Sequence, residues 1–453
     1  MTTLAHRLTA DGALPVRHVP IGRVIAVSLA TGAALAAVLM LTILFDVPEP
    51  TIVGSSLIAF ALGWGLLAEV TTRLTTSPQR WARLPAAVLA VAGVALLILR
   101  PGEQTLTQLA WLWAPALVVL GGYVAWQAAR NVPGRAALLV HPVALLTVLA
   151  GLGGLYQIST PAPQDAAGAM PGRLVDVGGY RLHLDCGGSG SPTVILLNGL
   201  GETSPQWARI SPELAPTTRV CAYDRAGQGW SDDSPNPADA AQSATDLHTL
   251  LHAAGEAGPF VLVGHSIGGI HALTYAAAYP TDVAGLVLLD SASPRQVELV
   301  TGFSGEYEFM RRALAVAPTL FRFGVGHVLR ALAAFPAGTP EAQAATFANS
   351  PRGLRGARAE QGALPASFAQ ARALQTLGAT PLVVLTAREN VDQRSGWSTA
   401  QEELARLSSN VRHTIGDVSH VGLLTDSAGS ALSVQAIDDV ITSVRTRTPL
   451  VAR

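Results

Sequence analysis

The chain of 453 residues contains no lysine; all 30 of its basic residues are arginine. With its abundant alanine, this composition points to a GC-rich bacterial genome. Cysteine is almost as scarce. Cys186 and Cys221 are the only two, too few for a disulfide framework or a zinc cluster. Charge is scarce as well: 13% of residues are charged, against about 25% in an ordinary soluble protein. The formal net charge of −1 gives no reason to expect a nucleic-acid partner. What stands in place of charge is apolar sequence, with a mean hydropathy of +0.35. The length allows two or three domains.

The apolar residues concentrate in the first third. Residues 24–45, VIAVSLATGAALAAVLMLTILF, carry no charge. At about 1.5 Å per residue they cross a hydrocarbon core of roughly 30 Å. A secretory signal peptide has a shorter apolar stretch, about 7–15 residues, and further apolar segments follow at 52–70, 84–99, 109–126 and 136–156. Buried helices of a soluble protein keep a polar face; these segments are apolar all round. Residues 1–158 therefore read as a transmembrane region of about five helices, with the lipid bilayer as a partner. The segment 84–99 is short, near the lower limit of about 17 residues, and Pro85 stands near its start.

Arginine sets the expected orientation. Arg7, Arg17 and Arg23 precede the first span, Arg73, Arg80 and Arg83 lie between the second and third, and Arg130 and Arg135 lie between the fourth and fifth. The intervening loops hold Asp46 and Glu49, then Arg100 and Glu103. Such alternation places the N-terminus in the cytoplasm and everything after about residue 158 outside, in a multi-pass cell-membrane protein. Glu69 and His141 are ionisable groups near or within spans, and such groups are functional candidates. Glu69 can reach the interface, however, and His141 can stay neutral and bond to a neighbouring helix. Residues 159–172, STPAPQDAAGAMPG, form a linker.

From Arg173 the periodicity changes. RLVDVGGYRLHLDC alternates about Gly178-Gly179 and predicts a β-hairpin. Short apolar runs follow in PTVILLNGLG, TRVCAY, 260–264, 284–290, 381–386 and 411–415, with helices at 238–254, from the serine turn to about Tyr279, at 398–408 and at 430–445. Strands alternating with helices predict a mostly parallel sheet covered on both faces. The stretch VLVGHSIGG, 261–269, reads as a strand, a sharp turn and a helix with Ser266 at the apex, the setting of a nucleophile.

Four motifs in order, NGLG, YDRAGQGWSD, GHSIGG and the Ser-His pair at 419–420, resemble the α/β-hydrolase fold family. The resemblance covers 173–447, about 60% of the chain, and implies an eight-stranded, mostly parallel α/β sheet with a helical cap at about 294–378, within a domain spanning 173–453. It implies Ser266 as nucleophile and His420 as its base. It also implies an oxyanion hole from the backbone N–H groups of Leu200 and Ile267. Asn198 stands where the family often has histidine. The triad acid is either Asp290, at the end of GLVLLD, or Glu389 or Asp392 in the polar stretch LTARENVDQ; Asp290 is preferred because a strand end holds a carboxylate more rigidly. His265 reads as shaping the turn. Asp224 and Arg225 read as a charged pair that organises a loop, and Trp207 as either pocket lining or core. Cys186 and Cys221 fall on neighbouring strands in this fold, so an oxidising compartment would permit a bridge.

These residues imply a membrane-anchored serine hydrolase acting on a small-molecule or lipid-like carboxylic ester, with no metal or organic cofactor. Amidase or peptidase activity of the same fold, or a silent sensor or scaffold, are the alternatives. Epoxide hydrolases and haloalkane dehalogenases of this fold use an aspartate nucleophile, which serine at 266 argues against.

Overall fold

The computed structural model describes residues 19–43 and 46–450. The chain divides into two compact units, Met1–Ile158 and Ser159–Arg453. Arg7 and Arg17, which enter the topology reading, lie outside the described residues.

The first unit is all-helical: α1 (Ile21–Val38, followed by the π-helical turn Leu39–Ile43), α2 (Glu49–Leu74), α3 (Arg83–Leu99), α4 (Glu103–Asn131) and α5 (His141–Ser159). Among the described residues, five helical stretches are long and apolar enough to cross a membrane. The short third segment is longer than its hydropathy suggests. A 3-10 turn, Arg80–Ala82, precedes α3, so the run Arg80–Leu99 has 20 residues, enough for about 30 Å. Pro85 sits in the first turn of α3, where a missing N–H costs nothing. α2 and α3 approach closely where Gly54 faces Gly93: a Cβ on Gly54 would lie 2.8 Å from the Gly93 carbonyl. Small residues serve that purpose between membrane helices. Glu69 is paired with Arg83, at 2.7 Å. His141 bonds the Ala137 carbonyl of its own chain turn through Nδ1, at 2.7 Å, rather than a neighbouring helix.

The second unit begins with the short α6 (Pro163–Ala166) and the antiparallel hairpin β1 (Arg173–Asp176) and β2 (Arg181–Gly187). β3 (Val194–Leu197), α7 (Ser211–Leu214), β4 (Val220–Tyr223), α8 (Ala240–Ala254), β5 (Phe260–His265), α9 (Gly268–Ala278) and β6 (Val283–Leu289) follow. An inserted helical cap comes next: α10 (Gln296–Leu299), α11 (Phe303–Arg322), α12 (Val325–Ala333), α13 (Pro340–Ala348) and α14 (Pro351–Ala371). The chain closes with β7 (Leu382–Ala387), α15 (Arg388–Gln393), α16 (Trp397–Ala405), β8 (Val411–Gly416), α17 (Gly422–Thr425) and α18 (Ser427–Thr446). The eight strands form one sheet in the order β1-β2-β4-β3-β5-β6-β7-β8. β1, β2 and β4 pair antiparallel and the rest are parallel.

The central strands are buried on both faces, as their unbroken apolar sequence requires. Ile195, Leu197, Leu262, Leu286, Leu288 and Val384 pack to one side with α8, α9 and α16. Val194, Leu196, Val263, Val287, Leu289 and Leu385 pack to the other with α18. Parallel pairing brings the C-terminal ends of β3, β5, β6, β7 and β8 to one edge of the sheet, and the loops there carry the candidate residues. Cys186 and Cys221 face each other in register across β2 and β4 and form a disulfide. Trp207 is fully buried in the core and does not line the pocket.

Candidate active site

β5 ends at His265, the chain reverses at Ser266, and α9 starts at Gly268. Ser266 has φ +54°, a left-handed conformation uncommon for a residue with a Cβ. The turn is tight enough that a Cβ on Gly264 would lie 2.5 Å from the Gly269 nitrogen, and one on Gly268 would collide with the Leu197 carbonyl. The surrounding backbone holds the strain: Ser266 N–H donates to the Leu289 carbonyl at 3.1 Å, and the Ser266 carbonyl accepts from Ala292 N–H at 3.0 Å. Such strain persists only where neighbours over-determine it, and it gathers at functional sites. Ser266, Ile267, Leu200 and His420 line one cavity of about 270 Å³. Among the described residues, neither the Leu200 nor the Ile267 backbone N–H has an acceptor.

Asp290 follows the last residue of β6 and is also left-handed, with φ +41°. Its carboxylate is fully buried and takes four donors. Oδ1 accepts from the Ala387 N–H (3.1 Å) and the Trp397 indole N–H (2.8 Å). Oδ2 accepts from the Asn390 amide (2.5 Å) and from His420 Nδ1 (2.6 Å). Burying carboxylate oxygens without partners is costly, and these four donors satisfy them. The Asn390 amide nitrogen also lies 3.3 Å from His420 Nδ1. Both are donors once the imidazole proton points at Asp290, so this is a contact only. The bond to Asp290 leaves His420 Nε2 as the basic nitrogen.

In the polar stretch LTARENVDQ, residues 385–387 end β7 and the rest is the helix α15 rather than a loop, and neither of its carboxylates reaches the imidazole. Glu389 accepts from the His420 backbone N–H, at 2.8 Å; Asp392 is exposed. What this helix contributes is Asn390, an amide that steadies Asp290. Sequence reading missed Asn390 and Trp397. The local signal, an asparagine one turn after an apolar strand, has meaning only once Asp290 is known to lie opposite.

The loop after β3 is braced from below. Asn198 donates to the Tyr223 carbonyl (2.8 Å) and accepts from the Trp207 indole (2.6 Å), a division of labour that an amide performs as well as a histidine. Glu202 Oε2 accepts from Gly199 N–H at 2.6 Å and lies 3.0 Å from His265 Nδ1. His265 Nε2 in turn donates to the His420 carbonyl, at 3.1 Å. Carbonyl oxygen only accepts, so Nε2 carries a proton. Burial opposes charge on both partners, but Glu202 raises the pKa of His265 above its ordinary value, and His265 holds Glu202 below the usual carboxylate range. Each partner thus favours the charged form of the other. His265 does shape the turn, and through Glu202 it also links the β3 loop to the loop carrying His420.

Asp224 and Arg225 do not pair with each other. Asp224 is buried against His183 Nδ1 (2.9 Å) and accepts from Ser204 N–H (2.7 Å) and Trp230 N–H (3.1 Å). Burial opposes its charge, and His183 with these two amides nevertheless holds its pKa low. Arg225 pairs with Glu360 of the cap (2.6 Å) and donates to the Asn198 and Gly199 carbonyls (2.6 and 2.7 Å). Two like-placed neighbours in sequence thus serve opposite sides of the β3 loop.

Comparison with known proteins bears on the fold. The chain matches the α/β hydrolase fold family over residues 192–426. It is 26% identical over 304 residues to an uncharacterized protein of Schizosaccharomyces pombe, covering 59% of this chain and 56% of that one. It is 43% identical over 107 residues to the lipase LipV of Mycobacterium tuberculosis, covering 23% and 40%. The structure of ALR0039, an α/β hydrolase from Nostoc sp. PCC 7120, aligns with a TM-score of 0.50 at 21% identity, covering 60% of this chain and 97% of that one. The chain spans about half or less of the length of these two curated relatives. With the family matched over half its residues, the chain belongs to the α/β-hydrolase fold family.

Proposed function

We propose that the protein is a membrane-anchored serine hydrolase that cleaves carboxylic esters through an acyl-enzyme on Ser266. The observation that carries this reading is the hydrogen bond between His420 Nδ1 and buried Asp290 (2.6 Å), with His420 lining the same cavity as Ser266. His420 Nε2 takes the Ser266 Oγ proton as Oγ attacks the ester carbonyl carbon. The carbonyl oxygen becomes an oxyanion that the N–H groups of Leu200 and Ile267 receive, each donor worth roughly 3–4 kcal/mol of barrier. Collapse breaks the bond to the alcohol, which leaves with the proton from His420. Water then attacks the acyl-enzyme, with His420 as base, and releases the acid and the free serine. Asp290 holds the tautomer and stabilises the imidazolium.

Two observations support a catalytic domain outside the cytoplasm: the arginine alternation between spans and the Cys186–Cys221 disulfide, a bond that persists in oxidising compartments. Likeness to a protein named a lipase supports the ester over the amide. The test is a fluorophosphonate probe on the full chain in detergent. Stoichiometric labelling of the native protein and none of Ser266→Ala is expected. An unlabelled native protein would refute the serine mechanism and leave the silent scaffold; turnover of amides but not esters by a labelled protein would move the activity to the amidase class.

A further inference from the structure

The cap exposes far more apolar surface than the rest of its unit. Among the described residues of 159–453, twelve large apolar side chains are exposed, and eight of them fall between Phe309 and Phe335. Their spacing is helical. On α12, Val325, Val328, Leu329 and Leu332 stand at i, i+3, i+4 and i+7, with Leu332 76% and Val328 60% exposed. Phe335 continues the stripe just past the helix. On α11, Phe309 is 71% exposed and Leu320 lies three turns further along the same face.

This face is not left over from poor packing. The opposite side of α12 is seated tightly: a Cβ on Gly326 would collide with the Asn349 carbonyl at the end of α13. The helix is thus fixed to the domain by its small residue and presents its large ones outward. α11 and α12 together hold four arginines, Arg311, Arg312, Arg322 and Arg330, and two carboxylates, Glu306 and Glu308; Glu308 pairs with Arg311 and Arg312, and Glu306 with Arg394 outside the two helices. An amphipathic helix with an apolar stripe and arginines beside it matches the chemistry of an interfacial helix on an anionic lipid surface.

Within its own unit, α12 is tied to the segment that opens the unit. Thr160, the residue after the last of α5, contacts His327 of α12, with Thr160 Oγ1 3.2 Å from Nε2. His327 Nδ1 accepts from the Arg330 guanidinium at 2.6 Å, which leaves Nε2 as the donor to Thr160. The helix with the exposed stripe is therefore bonded one residue beyond the end of the fifth apolar helix.

We propose that the exposed face of α11 and α12 docks on the lipid bilayer, its apolar stripe in the acyl boundary and its arginines toward anionic headgroups. This rests on the reading of the five apolar helices as membrane spans. α11 also lines the catalytic cavity through Phe303, Tyr307 and Met310, so docking puts the cavity wall beside a source of apolar substrates.

The test uses the full chain, one copy per nanodisc, in phosphatidylcholine with phosphatidylglycerol and a doxyl-labelled quenching lipid. A fluorophore is placed on Leu332→Cys, and in separate samples on Val91→Cys of α3 and on Ser409→Cys just before β8, at the sheet end away from the cap. Each variant is required to melt like the parent, and Val328→Cys replaces Leu332→Cys if that one does not. Expected is strong quenching at 332 and 91 and none at 409, with quenching at 332 weakened when phosphatidylglycerol is left out. Quenching at 91 without quenching at 332 overturns the docking and leaves the spans intact. No quenching at 91 overturns the membrane reading itself. A label at 332 shielded only in particles holding two copies makes the face a contact between copies and overturns the proposal.

Discussion

Glu202 is the most informative residue to perturb, because it joins two loops of the proposed site without facing the cavity. Its carboxylate accepts from Gly199 N–H in the β3 loop and faces His265 Nδ1, whose other nitrogen holds the His420 carbonyl. Glu202→Ala leaves the Gly199 N–H and a fully buried His265 Nδ1 without partners. Each orphan costs about 1–3 kcal/mol, for a total near 2–6 kcal/mol, and a fall in melting temperature on the order of 10 °C. Glu202→Gln is different. Its oxygen can still accept from Gly199 and its amide can donate to a neutral His265 that keeps its Nε2 proton. Only charge assistance is lost, about 1–2 kcal/mol. In activity, Ala loosens the loop that presents the Leu200 N–H, and the loss of kcat is bounded by that of one oxyanion donor, about 10²–10³-fold; Gln should lose less than about tenfold. The pair also has a pH signature. His265, its pKa raised by Glu202, contributes stability in full below about pH 6.5, its unfolded value, and loses it as pH rises through the folded value. Glu202, its pKa lowered by His265, contributes in full above about pH 4.3 and loses it as pH falls through its folded value. The difference in melting temperature between native protein and Glu202→Gln should therefore be widest between about pH 4.3 and 6.5 and narrow on both sides. Melting curves of the full chain in detergent and ester turnover read both effects. If Ala and Gln behave alike, or if the pH window is absent, the linking role of the pair is wrong.

Asp290→Asn retains an acceptor for Ala387 and Trp397 but turns an amide toward two donors, Asn390 and His420. Turnover should fall by up to about 10⁴-fold with the fold retained. If Glu389→Gln or Asp392→Asn shows that loss and Asp290→Asn does not, the acid lies after β7. The disulfide closes a loop of 35 residues, so Cys186→Ser with Cys221→Ser should cost about 3–4 kcal/mol; non-reduced protein with both cysteines alkylated in a mass spectrum would refute the bridge. A reporter fused after residue 172 should be active as alkaline phosphatase and dark as green fluorescent protein. The opposite pattern would refute the extracytoplasmic domain.

The elbow and the sheet were legible because their signals are local. An apolar run ending in GHSIGG can turn only where glycines clear the space, and unbroken apolar strands can be buried only between helices. The apolar helices were legible for the same reason, apart from the first turn of the third. Its added turn begins with Arg80 and Trp81, residues that a search for continuous apolar sequence passes over. What stayed hidden is what depends on contact across the chain. Glu202 meets His265 across 63 residues and Asn390 meets Asp290 across 100. Adjacent Asp224 and Arg225 suggested a pair by proximity alone, yet successive side chains in an extended segment point apart.

The described residues bring together two Ser–His–Asp clusters, and their difference shows why composition alone could not choose between them. Ser204 Oγ lies 3.3 Å from His183 Nδ1, and Asp224 lies 2.9 Å from that same nitrogen. His183 Nε2 donates to the Pro171 carbonyl at 2.6 Å. Burial opposes charge on this imidazole, but Asp224 raises its pKa above the ordinary value. Both nitrogens are engaged as donors, so no lone pair remains to take a serine proton, and the cluster is buried in the domain. In the other cluster, Asp290 occupies only Nδ1 of His420. The imidazole lies at the cavity with Nε2 available, and Ser266 lines that cavity from a left-handed turn. A base must keep one nitrogen unprotonated and within reach of the nucleophile. The bond to Asp290 leaves His420 Nε2 open and His183 has no such nitrogen, and that difference is why the proposed chemistry is assigned to Ser266 rather than Ser204.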